Sequence, residues 1–114
     1  MYAVLNSKRD DICDTAGTLT AAANALMEKG AKEVYAACTH GLLSKNAVER
    51  IANSAIKEMI ITNTVRLSEE KRHPKIVQLP VGHLLGHGIL RILSDEPLSG
   101  LFTYSYDQSK RELL

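Results

Sequence analysis

Nine consecutive residues gather most of the groups able to do chemistry: Asp10-Asp11-Ile12-Cys13-Asp14-Thr15-Ala16-Gly17-Thr18. Ala16 and Gly17 are small and let the backbone approach an anion closely. Amides at the start of a following helix point outward and favour phosphate. Thr15 and Thr18 add hydroxyl donors. Asp10 and Asp11 are poor phosphate partners, but they accept hydrogen bonds from sugar hydroxyls. They can also hold a magnesium ion directly or through its waters. The chemistry implied is a cradle for a sugar phosphate. An isolated Asp-Thr-x-Gly-Thr is more often an acidic turn that caps a helix. The paired acids upstream and the strand–loop–helix setting favour the ligand.

Other reactive side chains carry less. His83 and His87 stand one helical turn apart, a spacing that can chelate a metal, but a site needs three or four ligands and no third is evident, so no metal site is expected. His40 follows an apolar run and is placed at the ligand side of a sheet. Ser44 reads as a helix cap rather than a nucleophile, because no activating base lies nearby in sequence. No catalytic residue is assigned. Glu69 to Lys75 reads as a solvated loop.

The elements that must position these groups follow from periodicity. Leu19, Ala22, Ala23, Leu26 and Met27 mark one face of an amphipathic helix, with Gly30 as its C′ residue. Val34–Cys38, Met59–Thr62 and Ile76–Leu79 are short apolar runs expected to be buried strands. A second helix is expected over Ala47, Val48, Ile51 and Ala52. A third is expected from Pro80, in its first turn, to about Ser94. Leu101–Tyr104 is expected as an edge strand, and residues 105–114 as a tail. Alternating helices and strands, with strands apolar on both faces, predict an α/β fold: three layers, a parallel sheet flanked by helices, with right-handed crossovers. The 114 residues fit one domain.

With 14 basic and 13 acidic residues the net charge is +1, which argues against nucleic-acid binding. No apolar run reaches the roughly 18 residues of a membrane span, and the first residues lack a signal-peptide core. Cys13 and Cys38 do not form a disulfide framework, so a cytoplasmic chain with reduced thiols is expected.

The loop Asp10–Thr18 resembles the phosphoribosyl pyrophosphate loop of type I phosphoribosyltransferase folds, and more narrowly that of the ribose-phosphate pyrophosphokinases. Gly30–Ala36, Thr39-His40-Gly41-Leu42-Leu43-Ser44, Thr62-Asn63-Thr64-Val65, Ile89–Ile92 and Leu101-Phe102 follow that family's pattern in order, so the resemblance spans about residues 10–104. It implies the C-terminal part of an enzyme that transfers a pyrophosphoryl group from ATP to ribose 5-phosphate with Mg2+. It implies Asp10 as a ribose-hydroxyl ligand and Asp14, Thr15, Ala16, Gly17 and Thr18 as the 5-phosphate cradle. Asp11 is implied on the ribose or the metal, and Thr103 near an allosteric phosphate site. Ribose 5-phosphate and ATP are the implied small-molecule partners, and a homo-oligomer is the implied state of the full-length family.

Two departures stand against the family pattern. The family places an apolar strand directly before the paired acids, whereas here Asn6-Ser7-Lys8-Arg9 intervene, so a damaged or missing strand and a divergent start over residues 1–9 are expected. The family's N-terminal domain, with most ATP contacts, and its basic catalytic loop have no counterpart, so a polypeptide inactive by itself is expected. Rival readings are a non-catalytic regulatory partner of that enzyme, disfavoured by the intact loop, and a phosphoribosyltransferase, disfavoured by Thr39-His40-Gly41 and Thr62-Asn63-Thr64.

Overall fold

In the computed structural model, residues 2–6 and 11–102 are described, and they fall into two compact units, divided between Leu79 and Pro80. The first unit is built on a parallel sheet. Its strands are β1 (Tyr2–Asn6), β3 (Glu33–Cys38), β5 (Ile56–Thr62) and β6 (Ile76–Leu79), in the spatial order β1-β3-β5-β6. Ala3 pairs with Val34, Val34 with Ile56, and Met59 with Ile76. A separate two-residue parallel ladder joins β2 (Ile12–Cys13) to β4 (His40–Gly41).

Two helices, α1 (Gly17–Glu28) and α2 (Ala47–Ala52), belong to this unit. Ala23 of α1 and Ala47 and Ile51 of α2 share one core with Val34, Ala36, Ile56, Met59 and Ile61, all essentially inaccessible. The strands were expected to be apolar on both faces. Their burial instead alternates: Val34 and Ala36 are buried, while Tyr35 and Ala37 are half-buried. On that second face Lys57 bonds Glu33 at 2.5 Å, Tyr35 donates to the same carboxylate at 2.7 Å, and the Lys57 ammonium lies 5.7 Å from the Tyr35 ring centre. The α/β architecture with a parallel sheet flanked by helices is as expected.

Gly30 closes α1 as the sequence implies. Its φ of 94° is in the left-handed region, and Ala31 N–H reaches back to Leu26 O at 3.0 Å. This is a Schellman ending, which satisfies carbonyls the helix cannot pair itself.

The strand expected to be broken is present. Tyr2–Asn6 form β1 at the edge of the sheet, and the charged Lys8 and Arg9 lie past its end, outside the described residues. Ser44 is not the cap of α2: Asn46 occupies that position without a side-chain cap bond.

The second unit contains α3 (Gly82–Leu93) and a 3₁₀ turn over Leu98–Leu101. Pro80 lies two residues before the helix rather than inside its first turn, and Ser94 is its C-cap. No α3 residue is buried, and Leu84, Leu85, Ile89, Leu90, Ile92 and Leu93 are all exposed. The strand expected at Leu101 is replaced by the 3₁₀ turn. Pro97 starts it, Arg91 Nη1 donates to Pro97 O at 3.0 Å, and Gly100 leaves room for that guanidinium. Thr103, Tyr104 and the tail lie outside the described residues.

Candidate functional site

The loop between β2 and α1 is held by backbone bonds to the segment that follows β3. His40 N–H donates to Asp11 O at 2.8 Å, Leu42 N–H to Cys13 O at 3.0 Å, and Ser44 N–H to Asp14 O at 2.9 Å. Ser44 Oγ also donates to the Asp14 carboxylate. The hydroxyl expected to cap α2 therefore fixes a loop acid instead. Leu43 and Lys45, on either side of Ser44, have φ of 51° and 54°, the backbone cost of presenting Ser44 to Asp14.

Gly41 makes this approach possible. A methyl on its Cα would lie 2.7 Å from Ile61 Cδ1 and 3.0 Å from Cγ2, so β4 rests directly on the core side chain of β5.

At the helix entrance Ala16 has φ 60° and ψ 7°, and it is buried. This left-handed residue turns the chain so that the first amides of α1 face outward. Thr20 N–H makes the first intrahelical bond, to Ala16 O at 3.0 Å, leaving the amides of Gly17, Thr18 and Leu19 without intrahelical partners. Those donors and the positive end of the helix dipole are of the kind that suits an anion. The Thr18 side chain is exposed beside it, while the Thr20 hydroxyl turns inward to Ala16 O at 2.9 Å.

Arg50 adds a cation that the sequence reading did not single out. Its Nη1 donates to Thr15 O at 3.1 Å and stands 3.4 Å from where a Gly17 Cβ would be. A sequence distance of 35 residues hides this contact; the residue reads locally as a charge on the polar side of α2.

The structure thus brings Asp11, Asp14, Thr15, Ala16, Gly17 and Thr18 into one loop, with the Asp11 and Asp14 side chains exposed. Asp10 lies outside the described residues. Beside the loop, His40 Nδ1 is 2.6 Å from Thr64 Oγ1, and Thr62 Oγ1 donates to Thr39 O at 2.6 Å. These groups stand at the carboxyl ends of β3 and β5, the side on which open parallel sheets take ligands.

Cys13 and Cys38 are free thiols, and Cys38 Sγ donates to His40 O at 3.6 Å. The influence of Cys38, with burial, pushes the Cys13 thiol up. Bonds from the Cys13 side chain and backbone hold the Cys38 thiol below its usual range, so a thiolate forms first on Cys38.

The run expected to be a solvated loop is partly tied down. Lys71 Nζ donates to Leu42 O at 2.9 Å, and Lys75 Nζ to Ala52 O at 2.9 Å and Ser54 O at 3.0 Å, capping the end of α2. His83 and His87 line an open groove on α3 with Gly82, Gly86 and Leu90. Among the described residues no three His, Cys, Asp or Glu side chains gather in a metal-binding group. No helix of the described residues is long and apolar enough to cross a membrane.

Fold and loop together define an α/β protein whose parallel sheet feeds an acidic, glycine-containing loop into a helix N-terminus. The chain belongs to the phosphoribosyl synthetase-associated domain family, whose model matches residues 5–103. It is 57% identical over 94 residues to a ribose-phosphate pyrophosphokinase of Bacillus subtilis (strain 168), covering 82% of this chain and 30% of that relative. A ribose-phosphate pyrophosphokinase of Corynebacterium ammoniagenes is 56% identical over 93 residues, covering 82% and 29%. The crystal structure of phosphoribosylpyrophosphate synthetase from Mycobacterium smegmatis matches with a TM-score of 0.77 and 39% identity, over 82% of this chain and 30% of that one. The chain thus spans about 30% of the length of the relatives it matches.

Proposed function

We propose that this chain is the sugar-phosphate-binding part, from the C-terminal domain, of a cytoplasmic ribose-phosphate pyrophosphokinase, and that its loop holds ribose 5-phosphate. The observation that carries this reading is the left-handed Ala16 opening α1 beside Gly17 and Arg50, which leaves outward amides and a nearby cation for the 5-phosphate. Thr15 and Thr18 add hydroxyls, and the Asp14 carboxylate is fixed by Ser44. Asp11, with Asp10, accepts hydrogen bonds from the ribose hydroxyls, which leaves the anomeric hydroxyl directed away from the cradle as the acceptor of the pyrophosphoryl group.

The oxygen donors of Asp10 and Asp11 suit Mg2+, which binds through one or two carboxylates and keeps its waters. When bound, the ion would neutralise phosphate charge. Transfer from ATP also demands cations around the migrating group. In the described loop the Arg50 guanidinium is engaged with Thr15 O and the Lys71 ammonium with Leu42 O. On this reading the chain binds the sugar phosphate, while transfer from ATP and the homo-oligomer belong to the longer enzyme.

Calorimetric titration of the chain with ribose 5-phosphate tests the reading. Saturable binding is expected, weakened by Asp11→Asn and abolished by Gly17→Val, whose side chain would crowd Arg50 and Thr15. No binding of ribose 5-phosphate or inorganic phosphate would refute it. Incubation with ATP, Mg2+ and ribose 5-phosphate should yield no pyrophosphorylated sugar.

A further inference from the structure

The entrance of α1 lacks the cap that its sequence offers. Asp14 stands just before the helix, and a carboxylate in such a place ordinarily accepts backbone amides two or three residues on and closes the helix start. Yet Ala16, at the N-cap position, has no side-chain cap bond. The Asp14 carboxylate accepts the Ser44 hydroxyl instead. Ser44 is itself firmly placed. Its N–H donates to Asp14 O at 2.9 Å, and its carbonyl accepts Ala47 N–H at 3.1 Å at the start of α2. Left-handed Leu43 and Lys45 flank it, and the Leu43 side chain is fully buried in the core.

We infer that Ser44 is a positioning residue that keeps the entrance of α1 open to an anion, by holding the Asp14 carboxylate that otherwise caps the helix and closes it. This deepens the function proposed above and rests on it for the ligand. The Asp14 carboxylate and a phosphate seek the same donors: the amides of Gly17, Thr18 and Leu19, which have no intrahelical partners. A carboxylate tethered three residues from Gly17 is a strong competitor, because it reaches those amides without giving up translational freedom. Ser44 withdraws the competitor with one charge-assisted hydrogen bond.

The size of the effect follows from how often the entrance is open. A helix cap of ordinary strength, once nothing opposes it, occupies the amides about nine-tenths of the time. A ligand then meets an open entrance about a tenth of the time, and its apparent affinity falls about tenfold. Removing the acid together with the hydroxyl frees the amides again. That recovery separates competition from simple ordering. If the Ser44–Asp14 bond served only to order the loop, deleting both of its ends would be no better than deleting one.

The test titrates ribose 5-phosphate and inorganic phosphate calorimetrically into the full chain, its Ser44→Ala variant and the Ser44→Ala, Asp14→Ala double variant. The Gly17 and Thr18 amide signals of each are followed by NMR without ligand. Ser44→Ala should bind about tenfold more weakly than the parent chain, with those two amides shifted as capping shifts them. The double variant should bind about tenfold more tightly than Ser44→Ala and return the amides toward their parental positions. Ser44→Cys, close in size but a weak donor, gives the same reading where the alanine variant folds poorly. Parental affinity in Ser44→Ala, or a double variant that binds no more tightly than Ser44→Ala, overturns the inference. If no protein binds either anion while the Ser44→Ala amides still shift and the double variant restores them, the ligand proposed above is refuted and the hold of Ser44 on Asp14 stands.

Discussion

Replacing Gly41 with alanine asks whether the loop is seated on the core through a single point of close approach. The new methyl would sit 2.7 Å from Ile61 Cδ1, 3.0 Å from Cγ2 and 3.3 Å from Cβ. Ile61 is 1% exposed, so it has no free volume to retreat into. Overpacking of this kind costs about 1–3 kcal/mol. With a urea dependence of about 1–3 kcal/mol per molar, the unfolding midpoint should fall by about 1 M. Ile61→Val removes the Cδ1 atom and alone should cost about 0.5–1.5 kcal/mol. In the double variant the nearest clash is gone while the Cγ2 contact stays. The two losses should therefore fall short of their sum by about 1 kcal/mol, the coupling expected of residues in contact. Urea unfolding of the four proteins, followed by far-ultraviolet circular dichroism, reads this directly. Losses that add to within about 0.5 kcal/mol would refute the claim that Gly41 and Ile61 meet.

Three further outcomes are expected. Ser44→Ala should lower stability by about 1 kcal/mol, since the Asp14 carboxylate loses one bond while Ser44 N–H still reaches its carbonyl; urea unfolding checks it. Ala16→Val should cost about 2 kcal/mol or more, because a β-branched side chain is forced into left-handed backbone at a buried site, and the thermal midpoint should drop accordingly. Iodoacetamide should alkylate Cys38 at a lower pH than an ordinary thiol of pKa about 8.5 while sparing Cys13. The sign follows from the thiolate: a lowered pKa populates the reactive anion earlier as pH rises, and a raised one delays it.

Much of the first unit was legible because its elements announce themselves by period. The α1 face from Leu19 to Met27 and its Gly30 ending needed only helix geometry, and β3, β5 and β6 only short apolar runs. The failures have local causes. Lys8 and Arg9 suggested a broken strand because charge is not buried, but the strand ends at Asn6. β2 and β4 are two residues each, too short for any periodicity to show. Leu101-Phe102 looked β-forming, yet Pro97 and Gly100 upstream dictate a turn.

The loop's composition could be read from the sequence; its geometry could not. Its small residues, hydroxyls and acids suggested a sugar-phosphate cradle, and the structure sets Asp11 and Asp14–Thr18 at the entrance of α1. That the left-handed position falls on Ala16 rather than Gly17 could not be read, since alanine carries no signal for positive φ. Ser44 and Arg50 reach the loop from 30 and 35 residues away, and only the tertiary fold reveals them.

The strand order has a kinetic meaning. In the sheet β1-β3-β5-β6, the sequence gap between paired strands shrinks steadily from Ala3–Val34 through Val34–Ile56 to Met59–Ile76. Closing the longest of these gaps costs about 0.5 kcal/mol more than closing the shortest. Zippering is therefore favoured to begin at β5 and β6 and to reach β1 last, although β1 leaves the ribosome first. The loop that follows β1 bonds the segment after β3 across a gap about as long, 30 residues from Asp14 to Ser44, so the candidate site too is seated late in folding.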